Sequence, residues 1–234
     1  MNQRLEIAGL TVRMIGPADA ALTCVLLHGF GAPGDDLVPL AEELGVANVR
    51  FVFPAAPLEL GGLYGDSRAW WLLDLSAREA GELAAGTPRD RRTEIPEGLP
   101  QVRDQVSRLL DQLCARFSIP PEQLVLGGFS QGAMLSLDVA LHRATKPAAL
   151  LLMSGTLLAE SEWGPRMASL AKLPIVLSHG RTDGILPFSI SEVLRDKLRE
   201  AGAVVEWVPF VGGHEIPRAV LAAAPGVARR AELH

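Results

Sequence analysis

Residues 127–132 read Gly-Gly-Phe-Ser-Gln-Gly, and Gly128 to Gly132 within them fit the pattern G-x-S-x-G. A serine hydroxyl attacks a carbonyl carbon only when a base takes its proton and a third group holds that base in place. The pattern therefore points to acyl transfer with Ser130 as nucleophile; a tight turn built from small residues is the competing reading. The chain has five histidines, His28, His142, His179, His214 and His234. His214 is the expected base. It stands in Phe-Val-Gly-Gly-His-Glu-Ile, where two glycines let a loop come close to the serine. His179 closes an apolar run and is expected to make a structural hydrogen bond. His142 ends the segment that follows Ser130, and His234 is the terminal residue.

The acid expected to orient His214 is Asp183, in Ser-His-Gly-Arg-Thr-Asp-Gly-Ile-Leu-Pro (178–187). It lies between Ser130 and His214, the order nucleophile, acid, base that goes with a serine on a strand-to-helix turn. Its work would be to fix the imidazole tautomer and stabilise the imidazolium; a plain turn-former before Gly184 is the alternative. Asp138 and Asp196 are expected to be solvated. A developing oxyanion needs two backbone donors. One should be the N–H of Gln131, the residue after the nucleophile, a role that asks nothing of the Gln131 side chain. The other should come from the glycine-rich loop Leu-Leu-His-Gly-Phe-Gly-Ala-Pro-Gly-Asp-Asp (26–36), where Phe30 is the natural donor and His28 shapes the loop.

These groups need elements to carry them. Apolar runs at 22–28, 49–54, 123–128, 148–155 and 174–180 are continuous rather than alternating, as strands buried on both faces of a parallel sheet are. Residues 204–210 are a further strand, and the opening Leu-Glu-Ile-Ala-Gly-Leu-Thr-Val-Arg-Met-Ile-Gly (5–16) can add an antiparallel edge. Helical spacing marks 99–117, an amphipathic stretch 131–142, and 188–201. Strands alternating with helices imply βαβ units, a mostly parallel central sheet with helices on both faces, in one domain spanning 1–234. Ser130 then sits between a strand and a helix, at the end of the sheet where open α/β folds bind ligands, with the positive end of a helix dipole beneath it. Residues 57–97 break the rhythm with glycines, charges and two adjacent tryptophans, and read as a long loop excursion near the active site. Pro225 would interrupt the final helical pattern.

The remaining composition bounds the partners. With 234 residues, 48% hydrophobic, 21% charged and a formal net charge of -5, the chain has an ordinary globular make-up and shows no basic stripe for nucleic acid. No apolar run reaches the roughly 18 residues of a membrane span, and the N-terminus lacks the apolar core of a signal peptide, so the expected setting is cytoplasmic. Cys24 and Cys114 have no metal spacing and are expected to be buried free thiols.

Taken together, the segments 26–36, Gly-Gly-Phe-Ser-Gln-Gly-Ala-Met-Leu-Ser-Leu (127–137), 178–187 and Gly-Gly-His-Glu-Ile-Pro (212–217) resemble the phospholipase/carboxylesterase family of α/β-hydrolases, which includes acyl-protein thioesterases and small bacterial carboxylesterases. The resemblance runs over roughly residues 20–220, in the same order. It implies the α/β-hydrolase fold, a Ser130–Asp183–His214 triad, oxyanion donors at Phe30 and Gln131, and no cofactor or metal. Ser-Arg-Ala-Trp-Trp-Leu-Leu-Asp-Leu (67–75) is similar to that family's tryptophan segment beside the acyl pocket. Trp70, Trp71, Leu72, Leu186 and Phe188 are the expected pocket lining, with ordinary core as the other reading for each. The expected substrate is a small-molecule acyl ester or lipid-like molecule, cleaved by a monomer or homodimer. A peptidase or other hydrolase on the same triad, and a non-catalytic ligand-binding protein of the same fold, are the alternatives.

Overall fold

The computed structural model describes residues 2–44, 46–61, 65–73 and 90–222. Residues 62–64 and 74–89 of the loop excursion, Pro225 and His234 lie outside them.

Its centre is an eight-stranded sheet in the order β1-β2-β4-β3-β7-β8-β9-β10. The strands are β1 (Asn2–Ile7), β2 (Leu10–Ile15), β3 (Leu22–Leu27), β4 (Val49–Pro54), β7 (Leu124–Phe129), β8 (Ala149–Met153), β9 (Pro174–Gly180) and β10 (Val204–Phe210). Two short strands of the excursion, β5 (Leu58–Glu59) and β6 (Arg68–Ala69), form a separate antiparallel pair. The opening residues supply a whole antiparallel hairpin, β1 with β2, whose second strand runs antiparallel to β4. From β4 to β10 every pairing is parallel.

The continuous apolar runs have a direct explanation. Every residue of β3, β4, β8 and β9 is buried, and alternate side chains feed two different cores. Val25 and Leu27 of β3, Leu124 and Leu126 of β7, and Ile175 and Leu177 of β9 enter one. Cys24 and Leu26, Val125, and Val176 of the same strands enter the other. The first core is closed by α2 (Leu99–Phe117), α3 (Gln131–His142) and α5 (Phe188–Glu200). Among the described residues, the second is closed by Leu40 at the start of the short α1 (Leu40–Glu43), by Leu37 and Leu44 beside it, and by Val220 and Leu221. A further short helix, α4 (Glu160–Trp163), brings Trp163 to the first core.

The helix after Ser130 departs from the sequence expectation. α3 is not amphipathic in place: every residue from Gln131 to Leu141 is buried, because α2 and the turn Gly164–Leu170, with Trp163 just before it, pack against it as well as the sheet. Asp138, expected in solvent, is wholly buried there. Its carboxylate takes 2.6 Å and 2.8 Å hydrogen bonds from Arg103 Nε and Trp163 Nε1. Burial pushes its carboxyl above the ordinary carboxylate value, with Arg103, Trp163 and His142 opposing that push. Asp138, His142 and Glu162 bring ligand-type atoms within 4.8 Å of one another. Asp138 and Glu162 share the Arg103 guanidinium, at 2.6 and 3.0 Å, and His142 lies beside both carboxylates. Cys24 is a buried free thiol, pushed up to about 12 by burial, while Cys114 is only half-buried. Among the described residues no helix is long and apolar enough to cross a membrane.

Candidate active site

Ser130 stands on the turn between β7 and α3 with φ 54° and ψ −117°. That is the left-handed half of backbone space, which a residue with a Cβ avoids unless its surroundings impose it. The surroundings do impose it. The Ser130 N–H is held by the Met153 carbonyl at 2.8 Å. β7 and α3 are pressed so closely on β3 that a Cβ at Gly132 would lie 2.0 Å from the Leu27 carbonyl oxygen, and one at Gly128 would lie 2.4 Å from it. The glycines of G-x-S-x-G are thus fixed by clearance.

A line of hydrogen bonds leads away from the hydroxyl. His214 Nε2 lies 2.8 Å from Ser130 Oγ, and His214 Nδ1 lies 2.7 Å from Asp183 Oδ2. The other oxygen of Asp183 accepts the backbone N–H groups of Ile185 at 2.8 Å and Leu186 at 2.9 Å. Acceptance by Asp183 makes Nδ1 the hydrogen-bearing nitrogen of His214 and leaves Nε2 free to receive a proton from Ser130. Burial by itself would raise the Asp183 carboxyl. Hydrogen bonds from His179 and His214, the charge of His214 and the Leu186 N–H outweigh it and hold the carboxyl well below the usual carboxylate range.

Two loops deliver Asp183 and His214, and they are stitched together. Thr182 donates its N–H and its hydroxyl to the Gly212 carbonyl at 3.0 and 2.9 Å, and the Arg181 N–H bonds Phe210. The close approach that the sequence assigns to the glycines before His214 is made against Gly180: a Cβ there would be 2.1 Å from the Gly213 oxygen. Ser154 Oγ pins the same loop through the Glu215 carbonyl at 3.2 Å. Phe129, beside the nucleophile, puts its ring 4.8 Å from that of His214. Neither Ser154 nor Phe129 figures in the sequence reading. For Phe129 a signal existed, its place immediately before the serine; for Ser154 there was none.

The N–H groups of Phe30 and Gln131 have no hydrogen-bond acceptor among the described residues, whereas the adjacent Gly31 N–H is bonded to Arg68 at 2.9 Å. Gln131 opens a helix of twelve residues, so its N–H belongs to the unpaired first turn at the positive end of the dipole. Its side chain has a separate engagement, which the sequence did not indicate. Oε1 accepts the Trp70 N–H and Nε2 donates to the Trp71 carbonyl, both at 2.9 Å. This clamp fixes residues 70–71 against the start of α3. His28 shapes the loop as expected: Nδ1 donates to Gly29 at 2.8 Å and Nε2 accepts the Ala56 N–H at 3.0 Å. Burial lowers the pKa of His28, in keeping with that neutral tautomer.

The five residues expected to line a pocket separate. Trp70, Trp71 and Leu186 are buried in the first core, together with Met134 of α3. Trp70 Nε1 is tied to the His28 carbonyl at 2.9 Å. Phe188 is half-buried between His179 and Trp207, at ring distances of 6.0 and 5.7 Å. Leu72 faces solvent, 64% exposed. His142 points into the Asp138 and Glu162 cluster, away from Ser130. Asp196 is on the surface, paired with Arg195.

Comparison with known proteins bears on what such an arrangement is for. A family model described as phospholipase/carboxylesterase matches residues 13–225. Acyl-protein thioesterase 1 of Neurospora crassa is 26% identical over 205 residues, which are 82% of this chain and 79% of that protein. Acyl-protein thioesterase 1 of Yarrowia lipolytica is 27% identical over 190 residues, 79% of each. Among solved structures, esterase PE8 superposes with a TM-score of 0.79 at 29% identity, over 94% of this chain and 98% of that one. The Bacillus cereus carboxylesterase shares the fold, with a TM-score of 0.72 at 18% identity over 95% and 94% of the two chains.

Proposed function

This chain belongs to the phospholipase/carboxylesterase family and is a carboxylic ester hydrolase; from that premise we propose that it works through an acyl-enzyme on Ser130, with His214 as base and acid and Asp183 as the group that orients it. One observation carries this reading: the unbroken line from Ser130 Oγ through His214 to Asp183, at 2.8 and 2.7 Å. In the first half-reaction Oγ bonds to the acyl carbon while its proton passes to His214 Nε2. The carbonyl oxygen becomes an oxyanion, received by the free N–H groups of Phe30 and Gln131. The bond to the leaving oxygen or sulfur then breaks, and His214 returns the proton to it. In the second half-reaction water replaces the alcohol or thiol: its proton goes to His214, its oxygen to the acyl carbon, and Ser130 leaves with the proton restored. Every step is a proton or acyl transfer and calls for no cofactor.

The acyl donor is a small-molecule or lipid-like ester, and the relatives named acyl-protein thioesterases support including thioesters. We assign the acyl group to the apolar side of the site, against Leu186 and Phe188 behind Asp183 and against Leu72. Trp70 and Trp71 form the enclosed wall beneath. Labelling with a fluorophosphonate tests the nucleophile: the parent protein is expected to react and Ser130→Ala is not. Equal labelling of the two would remove Ser130 from the mechanism. Rates on p-nitrophenyl esters from acetate to palmitate then measure how much apolar surface the acyl side offers.

A further inference from the structure

His179 is the penultimate residue of β9 and is fully enclosed. Its Nε2 lies 3.0 Å from the Leu186 carbonyl oxygen and 3.3 Å from Asp183 Oδ2, the same oxygen that His214 uses. Both neighbours are acceptors, so Nε2 carries the hydrogen and shares it between them. The other ring nitrogen, Nδ1, is buried with no partner. An enclosed imidazole with one nitrogen unmatched is an expensive way to fill space, because that buried polar atom has given up water for no partner. Its position gives a reason for the expense. Leu186 donates its N–H to one Asp183 oxygen while its carbonyl receives His179. His179 therefore closes a ring around the carboxylate and competes with His214 for one of its oxygens.

We infer that His179 is a positioning residue for this site: its Nε2–H aims the Asp183 carboxylate and moderates how tightly that carboxylate holds a protonated His214. The inference rests on the Ser130–His214–Asp183 reading. Its physical content is a competition. A carboxylate that already accepts three donors, two N–H groups on one oxygen and His179 on the other, has less negative charge to spare for an imidazolium. Without the His179 donor, Asp183 would stabilise charged His214 more strongly, and the base would become protonated at a higher pH. The other charged side chains nearby are Arg181, whose guanidinium lies 5.1 Å from the Phe188 ring centroid, Glu215, which turns back toward Gly212, and Arg195 beyond Trp207.

Two variants of equal length isolate the donor. His179→Gln can place an amide N–H where the ring Nε2–H stands; His179→Met cannot, and neither alters Arg181, Glu215 or Arg195. The measurement is the pH profile of kcat/KM on a neutral p-nitrophenyl ester. The Met variant is expected to move the acid limb upward by about half a pH unit or more, and the Gln variant to keep the parent midpoint. If all three limbs coincide, His179 merely fills and braces the loop, and the inference is overturned. A second measurement needs no variant: nitrogen-15 NMR of the parent protein must find His179 as the Nε2–H tautomer, and finding Nδ1–H overturns the inference equally. Failure of the triad reading looks different, since the parent itself would then show no acid limb and Ser130→Ala would still react with fluorophosphonate.

Discussion

The Gln131 clamp allows a side chain and a backbone N–H of one residue to be separated by experiment. Gln131 is 2% exposed, and the two backbone groups that it holds belong to Trp70 and Trp71, each 1% exposed. Gln131→Met keeps length and volume but removes both 2.9 Å hydrogen bonds. Water has no access to replace them, so one N–H and one carbonyl are left buried and unpaired. Each such group costs about 1–3 kcal/mol, and the two sum to about 2–6 kcal/mol, out of a folding free energy on the order of 5–15 kcal/mol. For a chain of this size that is a fall in Tm on the order of 10 °C. Urea or thermal unfolding followed by circular dichroism reads it directly. The backbone N–H of residue 131 survives the change, so kcat of the folded variant should fall by much less than the roughly hundredfold that loss of an oxyanion donor costs. An unfolding midpoint equal to the parent's would refute the clamp. A fully folded variant with kcat down a hundredfold would refute the division of labour between side chain and backbone.

Three further outcomes are expected. Phe30→Pro deletes the second proposed donor, and with Gly31 already committed to Arg68 no neighbour can take over; kcat should fall about a hundredfold or more while Phe30→Ala, which keeps the N–H, stays near the parent, and equal rates for the two would dismiss Phe30 as donor. A base that must accept a proton stops working once protonated, so kcat/KM should decline toward acid pH, and a flat profile down to about pH 5 would count against His214. Asp183 does not contribute to that decline: its carboxyl is held below the usual range, so the stability it adds is present above about pH 4 and is lost only as pH falls further toward the lowered value. Asp138→Asn weakens the bond to Arg103, which keeps Glu162 as an anionic partner, and should cost about 1–3 kcal/mol in urea unfolding, whereas a surface carboxylate would cost next to nothing.

Much of the fold is legible in the sequence alone. The runs 49–54, 174–180 and 204–210 are strands over the same residues, and 99–117 and 131–142 are helices end to end. They could be read because a strand buried on both faces must be apolar at every position, and a helix closing a core must repeat its apolar residues at helical spacing. The same logic failed on α3. A stretch rich in small and apolar residues with one carboxylate reads as amphipathic, but what packs over it, α2 and the turn Gly164–Leu170, is supplied from other parts of the chain. Asp138 therefore entered the interior with Arg103, a partner 35 residues away.

The site divides along the same line. By itself the sequence determined which groups can do acyl chemistry and in what order they come, because G-x-S-x-G, the acid and the histidine are local patterns of residue type and turn. It also pointed to the backbone N–H groups of Phe30 and Gln131 as the proposed oxyanion donors. Only the tertiary structure decided that Ser130 and His214, 84 residues apart, meet at 2.8 Å, that the Gln131 side chain spans 61 residues to Trp70, and that His179 shares an oxygen with His214. The reason is physical. Local sequence restricts φ, ψ and burial, whereas a hydrogen bond is a condition on two atoms to within a few tenths of an ångström, met only once β3, β7, β8 and β9 are packed side by side and their loops are pressed together at Gly132 and Gly180.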